Sequence, residues 1–320
     1  MKKWRKKLIC AGSSVFRTVK RLFLPNGLDW ICRRAKRRQA KRVLLAWNRG
    51  LGDIALGLYA IVYRIREWIP DAEITFLIRA NLQEGFTLLK NVQVILAPSW
   101  VRGQPYDVDQ TLIRLGRLPE EFDLIIEWPN PTEWVSWQYG QLVPRLTWNS
   151  AHEELYKKFD LPPQFTYIGV QAVAETQYGL WRNWPHNRWC ELFEKLRSID
   201  SMRIILFGLG AEPKFQDDRI IDLRGKTTLF ELLSLIKNRC RYLIAPDSGI
   251  LSTVYYLDTA FSLQIISLWA DPKHGILKQN VASPNPLLIH RPLIGEFRDL
   301  STISVDQVLS YLLMGQPHAR

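Results

Sequence analysis

The sequence predicts an α/β protein made of two doubly wound, parallel-sheet domains in tandem, preceded by a basic extension. Short apolar stretches typical of strands alternate with stretches typical of helices, in two series that begin near residues 43 and 166. This alternation is typical of βαβ units, which place their strands in one parallel sheet. The 320 residues suffice for two domains of ordinary size.

The first series contains four predicted strands with helices between them. The strands are expected over residues 43–47, 73–78, 92–97 and 121–128, and the helices over 54–68 and 81–89. The segment 98–120, rich in Pro, Gly and Arg, is predicted to be a surface loop near a ligand.

The second series predicts five strands and three helices. The strands are expected over 166–173, 203–208, 242–249, 263–270 and 286–290, and the helices over 189–198, 228–238 and 304–314. Pro162 and Pro163 indicate a connector between the domains. The predicted boundaries are an extension at 1–42, a first domain at 43–160, a second at 161–303 and a closing segment at 304–320.

The positive charge is concentrated in the extension. The net charge is +12, yet residues 1–42 hold fifteen Lys and Arg against the single acid Asp29, so the remainder is slightly negative. One apolar stripe follows helical spacing, formed by Val15, Phe16, Val19, Leu22 and Phe23. A basic amphipathic helix suits an anionic membrane surface. The alternative is a basic helix that packs on its own protein; nucleic acid is not expected as a partner, because the rest of the chain offers no basic face.

Cysteine and histidine spacing gives no sign of a metal site. The four cysteines are far apart and form no CxxC pair, which favours a reducing, cytoplasmic compartment over a disulfide framework. The five histidines are equally scattered. No structural metal and no cofactor are predicted, and no apolar stretch approaches the roughly 18 residues needed to cross a bilayer.

The stretch RGLGD at 49–53 follows the first predicted strand. Gly50 and Gly52 permit a tight turn and a close approach of the backbone to a ligand. Asp53 then lies in the first turn of a helix, where the helix dipole stabilises a negative charge. The residues alone leave three interpretations open: a helix cap, a nucleotide ligand or a catalytic base.

Two later stretches indicate a phosphate site. In PDSG at 246–249 a strand runs into a turn and a helix, and the free backbone N–H groups at such a helix start suit a phosphate. Arg182 precedes a helix that has Pro185 near its first turn, and an arginine there can hold a diphosphate with two hydrogen bonds. Taken singly, the PDSG turn is equally compatible with a helix cap, and Arg182 is equally compatible with a surface ion pair.

The order of the three stretches resembles that of glycosyltransferase family 9, the ADP-heptose:lipopolysaccharide heptosyltransferases. The resemblance covers residues 43–315 and is strongest in KTTLFELLSLIKNRCRYLIAPDSG at 226–249, which is similar to the family signature T-x-x-E-L-x-x-L-I followed by D-[ST]-G. It implies a GT-B fold, in which two Rossmann-like domains face a central cleft and a C-terminal helix returns to the first. The chain departs from the family pattern at Arg182, where a lysine is usual, at Ser252, where a histidine is usual, and before Asp271.

The resemblance also implies the chemistry. Heptose would pass from ADP-heptose to the anionic lipid A–Kdo inner core of lipopolysaccharide, with inversion and without a metal. The basic extension would hold the enzyme on the cytoplasmic face of the inner membrane, an expectation that rests on its own amphipathic pattern. The roles implied by the resemblance are as follows: catalytic, Asp53 as base and Arg182; donor-binding, Asp247, Ser248, Gly249, Ser252 and Asp271; acceptor-binding, Gly50 and Gly52. Because the family's acceptor is anionic, four arginines after strands or in the 98–120 loop are candidate acceptor contacts by position, with a solvated face as the alternative: Arg79, Arg102, Arg114 and Arg117. Two alternatives stay open, a GT-B transferase with another nucleotide sugar and an inactive, membrane-associated binding protein. The thirteen tryptophans can stack on sugar rings, although most are expected in the core.

Overall fold

The computed structural model describes residues 26–174, 181–210 and 212–314. The chain divides into two compact units, Met1–Gln138 and Tyr139–Arg320. This division lies before the boundary predicted at residue 160. Residues 139–160 cluster with the second unit because they are bonded to it: Ser234 donates its hydroxyl to the Glu153 carbonyl at 2.9 Å, and Tyr156 donates its backbone N–H to Ser234 at 3.0 Å.

The first unit contains a four-stranded, fully parallel sheet with the order β3-β2-β1-β4. Its strands are β1 (Arg42–Trp47), β2 (Glu73–Ile78), β3 (Val92–Leu96) and β4 (Leu124–Ile126). Every residue of β1 and β2 after the first is buried, as expected for parallel strands covered on both faces. The predicted order and type of these elements are confirmed.

The helices of this unit are α1 (Gly27–Arg37), α2 (Tyr59–Trp68), α3 (Gln83–Thr87) and α4 (Val108–Arg114). A π-helical turn, Ile54–Leu58, leads directly into α2. The prediction of a surface loop over 98–120 was wrong for its central part, because α4 lies there. Asp107 caps α4 by accepting a hydrogen bond from the Gln110 N–H at 3.0 Å, and Val108 and Leu112 are buried in the core.

Helix α1 packs on α2, within the first unit. Its apolar stripe, Leu28, Cys32 and Ala35, is buried, and Asp29 forms an ion pair with Arg64 at 2.6 Å. For this part of the extension, the alternative of a basic helix that packs on its own protein is the one the structure supports. The predicted stripe from Val15 to Phe23 lies outside the described residues.

The second unit contains a six-stranded, fully parallel sheet with the order β10-β9-β8-β5-β6-β7. Its strands are β5 (Thr166–Val170), β6 (Met202–Leu206), β7 (Ile220–Asp222), β8 (Cys240–Pro246), β9 (Leu263–Trp269) and β10 (Leu288–Ile294). Its helices are α5 (His186–Leu196), α6 (Leu229–Arg239), α7 (Gly249–Tyr255), α8 (Gly275–Gln279) and α9 (Val305–Met314). The short elements β7 and α8 were not predicted.

The closing helix α9 packs on α5 and β10 of its own unit. Val305, Val308 and Leu312 are buried there in a core that includes Trp189. The apolar face of this helix is thus covered within its own unit. The expected return of the helix to the first domain stays a prediction. Among the described residues, no helix is long and apolar enough to span a membrane.

We expect His290 to make the second unit less stable in mild acid. Burial lowers its pKa to about 4, and its Nε2 lies 2.6 Å from the Ser267 hydroxyl. Between that pKa and the ordinary value of 6.5 the unfolded chain binds the proton more tightly. The stabilising contribution is thus complete above pH 6.5 and decreases as pH falls toward 4, by up to about 1.4 kcal/mol per pH unit.

Urea unfolding at pH values between 4.5 and 7, for the wild type and His290→Gln, tests this expectation. The variant should show a shallower loss of stability below pH 6.5. Equal slopes in the two proteins would assign the acid sensitivity to other groups.

Candidate functional site

Apart from Arg114 and Arg117, the predicted site residues fall into two groups, one near the carboxyl ends of the strands in each unit. In open parallel sheets these ends are where ligands bind. In the first unit, Asn48 directly follows β1 and is 2% exposed. Its side-chain amide donates to the carbonyls of Gln104 at 2.8 Å and Val101 at 3.3 Å, so it holds the loop after β3 beside the RGLGD turn.

Asp53 does not cap the helix that follows it. Its side chain makes no capping hydrogen bond to the π-helical turn; instead, one carboxylate oxygen accepts the N–H of Gly50 at 3.2 Å. The carboxylate thus points back across the turn toward the strand end. Gly57, in the π-helical turn, lies against Pro131, where a Cβ would come within 2.3 Å of the Pro131 Cβ. Close packing therefore fixes the turn that carries Asp53.

Guanidinium groups surround this turn. A Cβ placed on Gly50 would lie 3.6 Å from an Arg102 Nη atom, and Arg79 donates to the Arg49 carbonyl at 2.7 Å. Burial, and then the nearby charge of Arg102, lower the pKa of Arg79. The Nε of Arg79 is buried and has no hydrogen-bond partner among the residues that the structure describes. The site therefore concentrates positive charge around Asp53.

Two predicted acceptor residues have other surroundings. Arg117 forms an ion pair with Glu121 at 2.7 Å. Arg114 is exposed in the last turn of α4. Gly52 lies at the start of the helical turn, half-buried. Arg117 is thus paired with Glu121, whereas Gly52 belongs to the turn that carries Asp53.

In the second unit the strand β8 leads into Asp247 and Ser248. Ser248 caps α7 by accepting the Leu251 N–H at 3.2 Å, and its hydroxyl donates to Gln171, which follows β5, at 2.6 Å. Ser252 is 1% exposed and donates its hydroxyl to the Ser248 carbonyl at 3.0 Å. Ser252, at the position of the family's usual histidine, is thus occupied in holding the PDSG turn, with its side chain turned inward.

Arg182 pairs with Asp247 across the strand ends. Its guanidinium lies 3.2 Å from the Asp247 carboxylate, which is 9% exposed. Burial raises the pKa of Asp247, and the neighbouring charges of Arg182 and His274 act in the opposite direction. Gly275, at φ +49°, lies so close that a Cβ would meet an Asp247 oxygen at 2.3 Å. The close contact with Asp247 thus requires a glycine at the start of α8.

Asp271 contacts three groups, of which Arg298 and His274 were not among the predicted site residues. It accepts the Lys273 N–H at 2.9 Å, and its other oxygen lies 2.9 Å from Arg298 and 3.5 Å from His274. The Lys273 hydrogen bond and these cations keep the pKa of Asp271 below its ordinary value. His274 also stacks edge-on against Trp181, at 5.6 Å between ring centroids. Arg182 and Arg298 thus lie against the two carboxylates of this unit, and the His274 imidazole lies beside Asp271.

We expect Arg182→Gln to raise the pKa of Asp247 further. The burial that already raises this pKa would persist, while the nearest opposing charge would be removed. An aspartate with a raised pKa costs stability as pH rises through the interval between its unfolded and folded values, and the variant should widen this interval. The titration of ¹³C-labelled aspartate carboxyls by NMR measures the change.

Arg298→Gln is the matched control, because it removes a cation from Asp271 instead. It should raise the pKa of Asp271 and leave Asp247 unchanged. Equal Asp247 titration in the wild type and Arg182→Gln would show that the ion pair has little influence on this carboxyl.

Comparison with solved structures identifies the fold. ADP-heptose lipopolysaccharide heptosyltransferase II of Escherichia coli aligns over 85% of this chain and 98% of its own, at 16% identity and a TM-score of 0.58. This chain shares its fold. A glycosyl transferase family 9 protein of Veillonella parvula aligns over 86% of this chain and 96% of its own, at 17% identity and a TM-score of 0.55. No protein-family model and no curated protein sequence matches the chain.

The α/β fold class predicted from the alternating pattern and from the family resemblance is thereby confirmed. Most of the candidate site residues lie in the RGLGD and PDSG turns of this chain or contact them. Among the described residues, no group of three or more His, Cys, Asp or Glu side chains is arranged to hold a metal ion.

Proposed function

We propose that this protein is an inverting glycosyltransferase that transfers heptose from ADP-heptose to the inner core of lipopolysaccharide without a metal. The observation that carries the proposal is the position of the motif residues. Asp53 follows β1, Arg182 follows β5, Ser248 follows β8 and Asp271 follows β9, so all four lie beyond the carboxyl ends of parallel strands, where open α/β sheets bind ligands. The shared fold with heptosyltransferase II supports the same assignment.

Asp53 is the proposed general base. Its carboxylate would take the proton from an acceptor hydroxyl while that oxygen forms a bond to the anomeric carbon of the donor sugar. The bond from this carbon to the diphosphate oxygen breaks on the opposite face, and ADP leaves. The Gly50 N–H holds the carboxylate turned away from the helix.

The second unit is the proposed donor site, where negative charge grows on the departing ADP. Arg182, His274 and Arg298 would supply the opposing charge, together with the backbone N–H groups after Ser248. Arg182 and Arg298 are paired with Asp247 and Asp271. A diphosphate would compete with these carboxylates for the guanidinium groups. These two ion pairs would keep the guanidinium groups in position before the donor binds.

The acceptor is proposed to bind the first unit. Arg79 bonds the Arg49 carbonyl and Arg102 lies near Gly50, both in the turn that carries Asp53; their guanidinium groups suit the carboxylates and phosphates of an anionic core saccharide. Arg114 and Arg117 stay as proposed contacts at the rim of this unit. An anionic acceptor would thus be drawn to the same turn that carries the base.

The reaction itself is tested by ADP release. Purified protein is incubated with ADP-heptose in the presence or absence of deep-rough lipopolysaccharide, and released ADP is measured. Acceptor-dependent release supports the transferase. If ADP-heptose is inert and another nucleotide sugar reacts, the donor assignment is wrong. If every nucleotide sugar is inert, the proposal gives way to a binding protein built on a transferase fold.

We further propose that residues 1–42 hold the enzyme on the cytoplasmic face of the inner membrane. In the described part, the apolar side of α1 is buried against its own unit, so attraction here would be electrostatic. The exposed side presents Arg33, Lys36 and Arg37, with Trp30 38% exposed. Each basic residue near an anionic surface contributes about 1 kcal/mol.

Vesicle sedimentation separates a membrane from other polyanions. Wild-type protein should bind vesicles that contain anionic lipid, bind neutral phosphatidylcholine vesicles weakly, and dissociate as salt increases. The variant with Arg33, Lys36 and Arg37 changed to Gln should bind less. A matched variant with Lys90, Lys214 and Lys226 changed to Gln should bind as the wild type does. Tighter binding to single-stranded DNA than to anionic vesicles would favour nucleic acid instead.

A further inference from the structure

Three aromatic rings form a continuous stack at the edge of the first sheet. Trp100 stacks on Tyr106 with 4.1 Å between ring centroids, and Tyr106 stacks on Trp128 with 4.3 Å. The planes are tilted by only 24° and 26°. Trp128 lies two residues beyond the end of β4, and its side chain is 45% exposed.

The inner end of the stack is fixed in the core. Trp100 and Tyr106 pack against the buried cluster that includes Ala46 and Leu112. The Trp100 indole N–H donates to the Thr111 hydroxyl at 3.0 Å, and the Tyr106 hydroxyl donates to the Glu127 carbonyl at 2.5 Å. The stack therefore orients Trp128 rigidly. Tyr106 covers one face of the Trp128 indole, and the side chain is 45% exposed.

The same loop carries the aromatic rings and the cation beside Asp53. Arg102 lies between Trp100 and Tyr106 in sequence, and Asn48 binds the carbonyls on either side of it, Val101 and Gln104. The Tyr106 hydroxyl also lies 3.5 Å from the Ala46 carbonyl in β1. Burial raises the pKa of Tyr106, and the charge of Arg49, in the RGLGD turn, acts on this pKa in the opposite direction. Tyr106 and Asn48 thus bond the loop of Arg102 both to Glu127, which precedes Trp128, and to the end of β1. Trp128 and Arg102 therefore follow strands at the same, carboxyl end of this sheet.

We infer that this end of the sheet is a subsite for an anionic saccharide, in which the exposed indole of Trp128 stacks on a sugar ring and Arg79 and Arg102 bind its acidic groups. The axial C–H bonds of a pyranose carry a slight positive charge that suits the negative face of an indole. A rigid ring loses little conformational entropy on binding. The buried Nε of Arg79, which has no partner among the described residues, offers a further donor. The inference rests on the proposed function and names the acceptor contacts of that site.

Calorimetric titration of the full chain, without donor, tests the subsite. The probe is the delipidated, Kdo-containing oligosaccharide released from deep-rough lipopolysaccharide. Trp128→Ala should weaken its binding about tenfold, a change of roughly 1.4 kcal/mol, and Trp128→Phe should retain most of the affinity. Arg102→Gln should weaken binding and reduce its salt dependence.

Trp181→Ala is the matched control, because Trp181 is 38% exposed and belongs to the second unit. Its oligosaccharide affinity should equal that of the wild type. The inference would be overturned if Trp128→Ala bound the oligosaccharide as tightly as the wild type does. It would also be overturned if Trp128→Ala weakened the binding of ADP-heptose and not that of the oligosaccharide, or if the wild type did not bind millimolar oligosaccharide. Thermal unfolding of every variant identifies loss of affinity that comes from misfolding.

The outcomes separate this inference from the proposed reaction. If the wild type releases no ADP yet binds the oligosaccharide through Trp128, the subsite stands and the reaction is wrong. If the wild type releases ADP and Trp128→Ala leaves the KM for lipopolysaccharide unchanged, the reaction stands and the subsite is wrong.

Discussion

Asp53→Asn is expected to reduce kcat for acceptor-dependent ADP release by about 10²–10⁴-fold, the usual contribution of a positioned general base. The asparagine amide is nearly the same size, and its oxygen can still accept the Gly50 N–H that Asp53 accepts at 3.2 Å. The turn should therefore keep its shape while the group that accepts the proton is lost. The measurement is steady-state kinetics with ADP-heptose and deep-rough lipopolysaccharide, together with the Kd for ADP, which should not change.

Asp107→Asn is the matched control in the same unit. Asp107 caps α4 through the Gln110 N–H, and asparagine is an equally good cap, so this variant should be fully active. A loss of activity below tenfold in Asp53→Asn would assign Asp53 to the turn and leave the base to another group. A loss of ADP binding in that variant would point to a wider structural change.

Trp184→Ala is expected to destabilise the second unit by about 3–5 kcal/mol, the range measured for aromatic truncation in protein cores. Trp184 is 2% exposed, stacks edge-on against Trp189 at 5.0 Å, and donates its indole N–H to the Ile303 carbonyl at 3.1 Å. Because Arg182 lies two residues earlier, the truncation should also loosen the loop that carries it. Urea unfolding, with hydrogen exchange of the α5 amides as a local probe, measures the effect.

Two companion variants separate packing from hydrogen bonding. Trp184→Phe keeps most of the apolar volume and leaves the Ile303 carbonyl without its donor, which should cost about 1–3 kcal/mol. Trp181→Ala removes an indole that is 38% exposed in the same loop and should cost less than about 1 kcal/mol. A Trp184→Ala protein as stable as Trp181→Ala would show that the core closes around the missing ring.

Long apolar runs were the most predictable part of the fold. The strands β1, β2, β8 and β9 match the predicted stretches because consecutive buried residues leave few other structures available. The edge strand β7 has only three residues, Ile220–Asp222, and none is fully buried, so its sequence carries no apolar run. Helix α4 was missed because the Pro, Gly and Arg around it are typical of loops, whereas the burial of Val108 and Leu112 depends on the sheet beneath.

The candidate site divides in the same way. Asp53 and Ser248 were found because glycine turns after apolar strands mark the carboxyl ends of a parallel sheet. His274 was missed because the scattered histidines pointed to no site, although it lies only three residues after Asp271. Arg298 was missed because its contact with Asp271 joins residues far apart in the sequence. The sequence alone could not show that the Ser252 hydroxyl bonds the Ser248 carbonyl; the donor-binding role of Ser252 stays a prediction.

The two series of βαβ units, their order, and the turns that carry Asp53 and Ser248 could all be predicted from the sequence. These features depend on local periodicity and on glycine, which act over a few neighbouring residues. Three contacts became visible only in the tertiary structure: Asp53 bonds Gly50 and not its helix, Arg182 pairs with Asp247, and Trp128 lies at the end of a stack of three rings. Such contacts join residues whose meeting depends on how whole strands pack, and no local pattern records that.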